Sequence, residues 1–269
     1  MPGKILLLLL AVLLSGCNND FLGLLRSNGL DERLKERNNF RFLRPQDMEL
    51  SLGNEFAFLV LTDIHIEHKN AHDFEKLTEV IQGDDEIQFV VITGDITQHG
   101  VREDIEKFIA IARRFGVPCY PVIGNHDIFF ENWTNWKSLI GSTRYRIDGG
   151  GATLFMLDSA NAYFGREQLS WLEREIKSAS GRVFVFTHAN LFIKSPVDIQ
   201  QLTDVKERAR ICSILRDHAD SMFMGHAHTR DEREIGNVQY VTIEDFKSNK
   251  TYCRVSVKRT GVSYHFKKL

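Results

Sequence analysis

From residue 56 onward the chain alternates short apolar runs with amphipathic stretches, and five of those runs close on a polar cluster of Asp, Asn or His. The runs read as strands over residues 56–61, 88–92, 119–123, 153–157, 182–186, 221–224, 238–243 and 251–257. Helix patterns lie between them. Residues 102–115 put Ile105, Phe108, Ile109 and Ala112 on one face, with Arg113 and Arg114 in the last turn and Gly116 as the stop. Residues 167–177 carry Leu169, Leu172 and Ile176 at helical spacing. Such alternation specifies an α/β or α+β domain. With 43% apolar residues, 269 residues suffice for one such domain with a real core.

The polar clusters follow one rule. Asp63-Ile64-His65 comes after the first run, Gly94-Asp95-Ile96-Thr97 after the second and Gly124-Asn125-His126-Asp127 after the third. Thr187-His188 closes 182–186, and Gly225-His226-Ala227-His228 closes 221–224. Ligand sites in α/β sheets gather at the carboxyl ends of the strands, so the clusters are expected to converge. Residues two apart on an extended segment share a side, which lets Asp63 act with His65 and His226 with His228. A lone Asp-x-His or His-x-His is commonplace in loops. The weight lies in all five together, a set of carboxylate, amide and imidazole donors without thiolate that suits Mn, Fe or Zn.

The order Asp-x-His, Gly-Asp-x-Thr, Gly-Asn-His-Asp, His, Gly-His-x-His resembles the calcineurin-like metallophosphoesterase superfamily, across roughly residues 56–230. The resemblance implies an α/β fold, a four-layer α/β/β/α sandwich of two mixed sheets, carrying two divalent or trivalent metal ions. It further implies that Asp63, His65 and His228 hold one ion, that Asn125, His188 and His226 hold the other, and that Asp95 bridges them. Two cations about 3.5–4 Å apart neutralise phosphate oxygens, position the ester and activate water. His126 is similar to the family histidine that steadies the transition state or protonates the leaving oxygen, with Asp127 as its orienting partner. The substrate implied is a small phosphate ester, either diester or monoester.

Further stretches, Gln98-His99-Gly100, Leu157-Asp158-Ser159, Gly165 and Gln168-Leu169-Ser170-Trp171-Leu172, are similar to the class III cyclic-nucleotide phosphodiesterase branch. That branch follows the lone histidine with prolines, whereas this chain reads His188-Ala189-Asn190-Leu191. The competing reading is a non-catalytic scaffold of the same fold that binds a protein partner. Scaffold relatives usually lose ligands, and here each ligand position keeps a metal-binding residue. Among the other histidines, His68 and His72 are expected in a solvated loop, His218 at a helix end, His265 on a late strand and His99 on the surface or at the site mouth.

Lys4, the ten apolar residues 5–14 and then Ser15 and Gly16 form a signal-peptide layout, too short for the roughly 20 residues of a spanning helix. Leu14-Ser15-Gly16-Cys17 resembles the lipobox of bacterial lipoproteins, in which Cys17 would be acylated and head the mature chain. Residues 17–52 are then expected as a lipidated tether and 53–269 as the catalytic domain, in the bacterial cell envelope and facing the periplasm or exterior. In the tether, Phe21, Leu22, Leu24 and Leu25 mix with Arg26, Arg33, Lys35, Arg37, Arg41 and Arg44, which fits either a segment lying on phospholipid or a solvated linker with a short helix. The net charge is −2, near −3 once Lys4 is removed, and lacks the basic track of a dedicated nuclease. Cys119, Cys212 and Cys253 sit in apolar stretches and are expected as buried thiols.

Overall fold

The computed structural model describes residues 29–67, 72–192, 202 and 204–269. The expected signal peptide, Cys17, the first part of the tether, His68 and the side chain of His72 lie outside the described residues.

In chain order the elements are α1 (Leu30–Arg33), β1 (Glu49–Leu50), β2 (Phe56–Leu61), α2 (His72–Gln82), β3 (Ile87–Thr93), α3 (Arg102–Ala112) and β4 (Cys119–Val122). Then come α4 (Trp133–Leu139), β5 (Tyr145–Gly149), β6 (Ala152–Met156), α5 (Arg166–Glu175), β7 (Arg182–Phe186), α6 (Val205–Leu215) and β8 (Ser221–Met224). The chain finishes with β9 (Asp231–Ile235), β10 (Val238–Thr242), α7 (Phe246–Asn249), β11 (Thr251–Lys258) and β12 (Gly261–Lys268).

Two mixed sheets result, a seven-stranded one in the order β1-β5-β6-β7-β8-β10-β9 and a five-stranded one in the order β12-β11-β2-β3-β4. The inner strands are parallel and the outer ones largely antiparallel. Every residue of β2 and β6 is buried, because each sheet is covered on both faces. Between the sheets Phe58 stacks on Phe89 at 4.7 Å and meets Phe184 at 5.0 Å and Phe223 at 5.9 Å. Outside the seven-stranded sheet, α5 and α6 bury Leu169, Leu172, Ile211 and Leu215 against Val183, Val185 and Met222. On the five-stranded side Leu77, Ile81, Ile105 and Phe108 of α2 and α3 join the main core. Each such side chain contributes about 1.5–3 kcal/mol on burial. The expected α/β/β/α sandwich is the observed fold.

One expected boundary is corrected. Residues 29–52 are no tether, because Leu30, Leu34, Phe42, Leu43 and Leu52 are buried and β1 extends the seven-stranded sheet by pairing in parallel with β5. The Arg33 guanidinium is fully buried and grips the Asp158 carboxylate at 2.7 and 2.8 Å. The mixture of basic and apolar residues that suggests a membrane-lying or solvated linker instead serves the sheet edge, where the apolar members fill the core and individual arginines find carboxylates. Breaking a buried pair of this kind costs about 3–5 kcal/mol.

Three strands, β1, β5 and β9, escape sequence reading, and of β12 the sequence marks only His265 as part of a late strand. β9 is exposed or half-exposed at every residue and β12 is largely exposed, so neither carries an apolar run. Cys119 and Cys253 are buried thiols, as expected, with burial pushing Cys253 up to about 12, while Cys212 is only half-buried.

Candidate metal centre

Five residues at strand ends, Asp63, His65, Asp95, His226 and His228, hold left-handed backbone angles with φ of 51°, 44°, 48°, 66° and 50°. Such angles cost a non-glycine residue about 1–3 kcal/mol each and persist only where surrounding structure imposes them. For Asp63, His65 and Asp95 the imposition is a continuation of the β2–β3 ladder beyond both strands. The Asp63 amide donates to the Gly94 carbonyl at 3.1 Å, His65 to Asp95 at 2.9 Å and Ile66 to Ile96 at 2.8 Å. Asp63 and His65 therefore converge through a twisted left-handed turn rather than by the simple alternation of an extended strand. Close approach matters too, since a Cβ on Gly94 would lie 2.4 Å from the His188 ring and one on Gly124 only 2.1 Å from the Asp95 amide. No other residue fits there without displacing a site residue.

All five clusters meet. Asp63 Oδ1 lies 3.0 Å from His228 Nε2 and 3.7 Å from His65 Nε2. Asp95 Oδ2 lies 3.8 Å from His65 Nε2 and 3.9 Å from His126 Nε2, while its Oδ1 is 3.3 Å from His188 Nε2. His188 Nε2 is 2.9 Å from Asn125 Oδ1 and 3.2 Å from His226 Nδ1. Donor atoms within 4.8 Å of one another form the groups Asp63/His65/His228, Asp95/His188/His226 and His65/Asp95/His126. These overlapping groups make the site binuclear.

The residues fit a pair of cations on observations internal to the site. His65 Nδ1 is buried without a hydrogen-bond partner. His188 Nδ1 lies 2.9 Å from the Thr93 carbonyl, which can only accept, so Nδ1 carries a proton and Nε2, turned inward, is the nitrogen that gains or loses the second one. Burial acts to raise the Asp63 and Asp95 carboxyls, yet the hydrogen bond from His228, the nearby His65 ring and the charge of His188 hold Asp63 well below the usual range. The charges of His188 and His126 hold Asp95 low in the same way. Against burial, Asp95 lifts His188 to about 9, and the hydrogen bond to Asp63 lifts His228 to about 9. Burial and the charge of His188 drive His226 down to about 4. Strong anions packed among imidazoles that already draw protons will equally draw dications.

His126 shares a donor group with His65 and Asp95 but is held differently. Its amide donates to Asp95 Oδ1 at 2.9 Å and its Nδ1 donates to the Gln98 carbonyl at 2.8 Å, leaving Nε2 turned toward the centre. The expected partner is corrected, since the Asp127 carboxylate does not touch the imidazole. It accepts from Gly124 N at 2.9 Å, Ile96 N at 3.2 Å, Thr97 N at 2.8 Å and Thr97 Oγ1 at 2.9 Å, and so staples the loops after β3 and β4 together. Burial and the nearby Asp95 charge push Asp127 up to about 6. A backbone carbonyl orients His126, and carbonyls leave no trace in a residue pattern.

Supporting residues were also hidden. Thr62 Oγ1 donates to Asp63 Oδ2 at 2.6 Å, and Ser159 Oγ contacts Thr187 Oγ1 at 2.7 Å and accepts from the Ala189 amide at 2.8 Å, flanking His188 on both sides. Lys247 reaches Gln98 Oε1 at 2.8 Å. Two signals bear on them: Thr62 and Thr187 each directly precede a ligand candidate, and Gln98 and Ser159 fall in the stretches similar to the cyclic-nucleotide branch. His99 is exposed, with its ring 6.3 Å from that of Phe130, and His218 and His265 are exposed in a turn and on β12.

The model of the calcineurin-like phosphoesterase family matches residues 56–230. The chain belongs to the calcineurin-like phosphoesterase family. Among curated relatives, a probable cyclic nucleotide phosphodiesterase of Fibrobacter succinogenes is 25% identical over 68% of this chain and 72% of its own. A probable glycerophosphodiester phosphodiesterase of Arcobacter nitrofigilis is 28% identical over 52% of this chain and 56% of its own. The 3',5'-cyclic adenosine monophosphate phosphodiesterase of Pseudomonas aeruginosa is 24% identical over 62% of this chain and 64% of its own. Among solved structures, a dimetal phosphatase from Danio rerio superposes with a TM-score of 0.61 at 14% identity, over 78% of this chain and 98% of that one. A purple acid phosphatase from yellow lupin superposes with a TM-score of 0.67 at 13% identity, over 81% and 52%. Overlapping ligand clusters on this phosphoesterase fold make the protein a metal-dependent hydrolase of phosphate esters.

Proposed function

We propose that the protein hydrolyses small phosphodiesters at a pair of Mn, Fe or Zn ions, with Asp63, His65 and His228 holding one ion, Asn125, His188 and His226 the other, and Asp95 bridging. The observation that carries this is the place of Asp95, buried and facing His65, His126 and His188 from both oxygens. Bound ions supply Lewis acidity toward phosphoryl oxygens and lower the pKa of water. His126, with Nδ1–H committed to Gln98, offers Nε2 to the leaving oxygen as a general acid or to the phosphate as a donor. Asp127 is a positioning residue that fixes the loop carrying His126. Diesters are favoured over monoesters because all three curated relatives named above are phosphodiesterases, two of them of cyclic nucleotides, in keeping with the sequence likeness to that branch.

We further propose that the chain resides in the bacterial cell envelope, exported by residues 1–16 and anchored through acyl groups on Cys17. Among the described residues no helix is long and apolar enough to cross a membrane. Cyclic nucleotides, linear diesters, phosphomonoesters and glycerophosphodiesters assayed on one sample of measured metal content test the reading. Turnover of a diester by protein holding about two metals supports it. A protein that binds two ions and hydrolyses none of the panel is the scaffold.

A further inference from the structure

We infer that the catalytic face of the domain, the face at the carboxyl ends of the strands, is the one that meets the phospholipid surface. The inference rests on the lipid anchor at Cys17 proposed above and on the path of residues 30–52. Leu30 starts beside Gly165, where a Cβ would lie 3.0 Å from the Leu30 side chain, and Arg33 is locked to Asp158, just past the carboxyl end of β6. The strap then descends the sheet edge, bridging at Phe40 to Gly141, until Leu50 pairs with Gly149 near the amino end of β6. The chain enters β2 from that end. The described chain therefore begins on the side where His188 and His226 close β7 and β8.

Length restricts the orientation. At about 3.3–3.6 Å per extended residue, the stretch from Cys17 to Gly29 reaches about 40 Å. A domain of this size has a radius of gyration of about 18 Å, hence a half-perimeter of about 70 Å, so the opposite face lies beyond reach of the anchor. The surface agrees. Of the four exposed large apolar residues among those described, Phe130 (44%), Tyr163 (38%) and Val205 (64%) stand on this face, after β4, before α5 and at the start of α6. The fourth, Ile235, ends β9 at the amino-end side. Arg166 and Lys206 at these helix starts are offset by Asp204 and Glu207, so contact should depend little on anionic lipid.

Fluorophores placed through Tyr163→Cys, Val205→Cys and, as control, Glu86→Cys test this in the lipidated full chain carrying Cys212→Ser. The vesicles are phosphatidylethanolamine with or without phosphatidylglycerol and bear headgroup nitroxides. We expect quenching several-fold stronger at positions 163 and 205 than at 86, with either lipid composition. Equal quenching at all three, stronger quenching at 86, or none on vesicle-bound protein overturns the orientation while leaving the anchor standing. Protein that never associates with the vesicles overturns anchor and orientation together. Hydrolysis of a dissolved diester in the same sample reports separately on the catalytic reading.

Discussion

The two ends of the same sheets are built by opposite rules. At the carboxyl ends, Asp63, His65, Asp95, His226 and His228 sit at positive φ, and Asp63 and Asp95 are buried among imidazoles. At the amino ends the turns use glycine for positive φ, at Gly181, Gly236 and Gly261, with Asn237 beside Gly236, and the charges pair near the surface: Arg182 with Asp220, and Arg254 with Asp84 and Glu86. One end tolerates strain and concentrated charge that the core must hold in place. The other is locally relaxed. Substitutions at the first should therefore damage chemistry and metal binding, and those at the second should touch stability alone.

The largest effect is expected from Asp95→Asn, because a neutral amide cannot offset two dications. Activity should fall below detection and metal content should drop sharply, both read on one purified sample by turnover and elemental analysis. Full activity with both ions retained would remove the bridging role and blur the contrast between the ends.

His126→Ala should come next, with metal content unchanged and a loss of about 10²–10⁴-fold on alkyl esters, whose leaving alkoxide needs a proton. Nitrophenyl esters, which leave unaided, should lose less. An equal loss on both would assign the imidazole to phosphate charge instead, and loss of metal would make it a ligand.

Chelation should sharpen the contrast within the catalytic end. The His228 side chain is 49% exposed and that of His188 only 1%, so the ion held by the Asp63 group should leave faster than the one held by the Asp95 group. Metal content followed against time in excess chelator should fall in two phases. A single phase would mean that the buried carboxylate between them couples the two departures.

The smallest effect belongs to the amino end. Hydrogen bonds from Arg254, opposed by partial burial, hold Asp84 below its usual range. Its contribution is thus present above the unfolded carboxyl value, near pH 4, and lost as pH falls through the lower folded value. Asp84→Asn should cost at most about 1 kcal/mol near neutrality, the cost should vanish in acid, and kcat/KM should be unchanged. Thermal melts from pH 7 to pH 3 with parallel assays would check it, and a loss of activity in folded protein would break the contrast between the two ends.

Much of this was legible in the residue order. β2, β7 and β8 fall where the apolar runs place them, and all five polar clusters lie at strand ends. Polar edges were not legible: Asp231–Ile235 alternates charges that face solvent on both sides, so burial leaves no pattern to read. Residues 29–52 misled for the opposite reason, since Arg33 resembles a solvated or membrane-lying charge until Asp158, 125 positions away, is brought against it.

The sequence by itself determined the donor inventory, the order of the strands and the fact that donors follow strands, because hydrophobic periodicity and residue chemistry are local properties. Only the tertiary structure decided which atoms face each other. It turned Asp127 from a partner of His126 into a staple across two loops, gave the orienting role to the Gln98 carbonyl, and imposed left-handed turns on five ligand candidates. These are long-range facts. They depend on two sheets closing over one core, and no spacing along the chain encodes the distance between groups that only packing brings together.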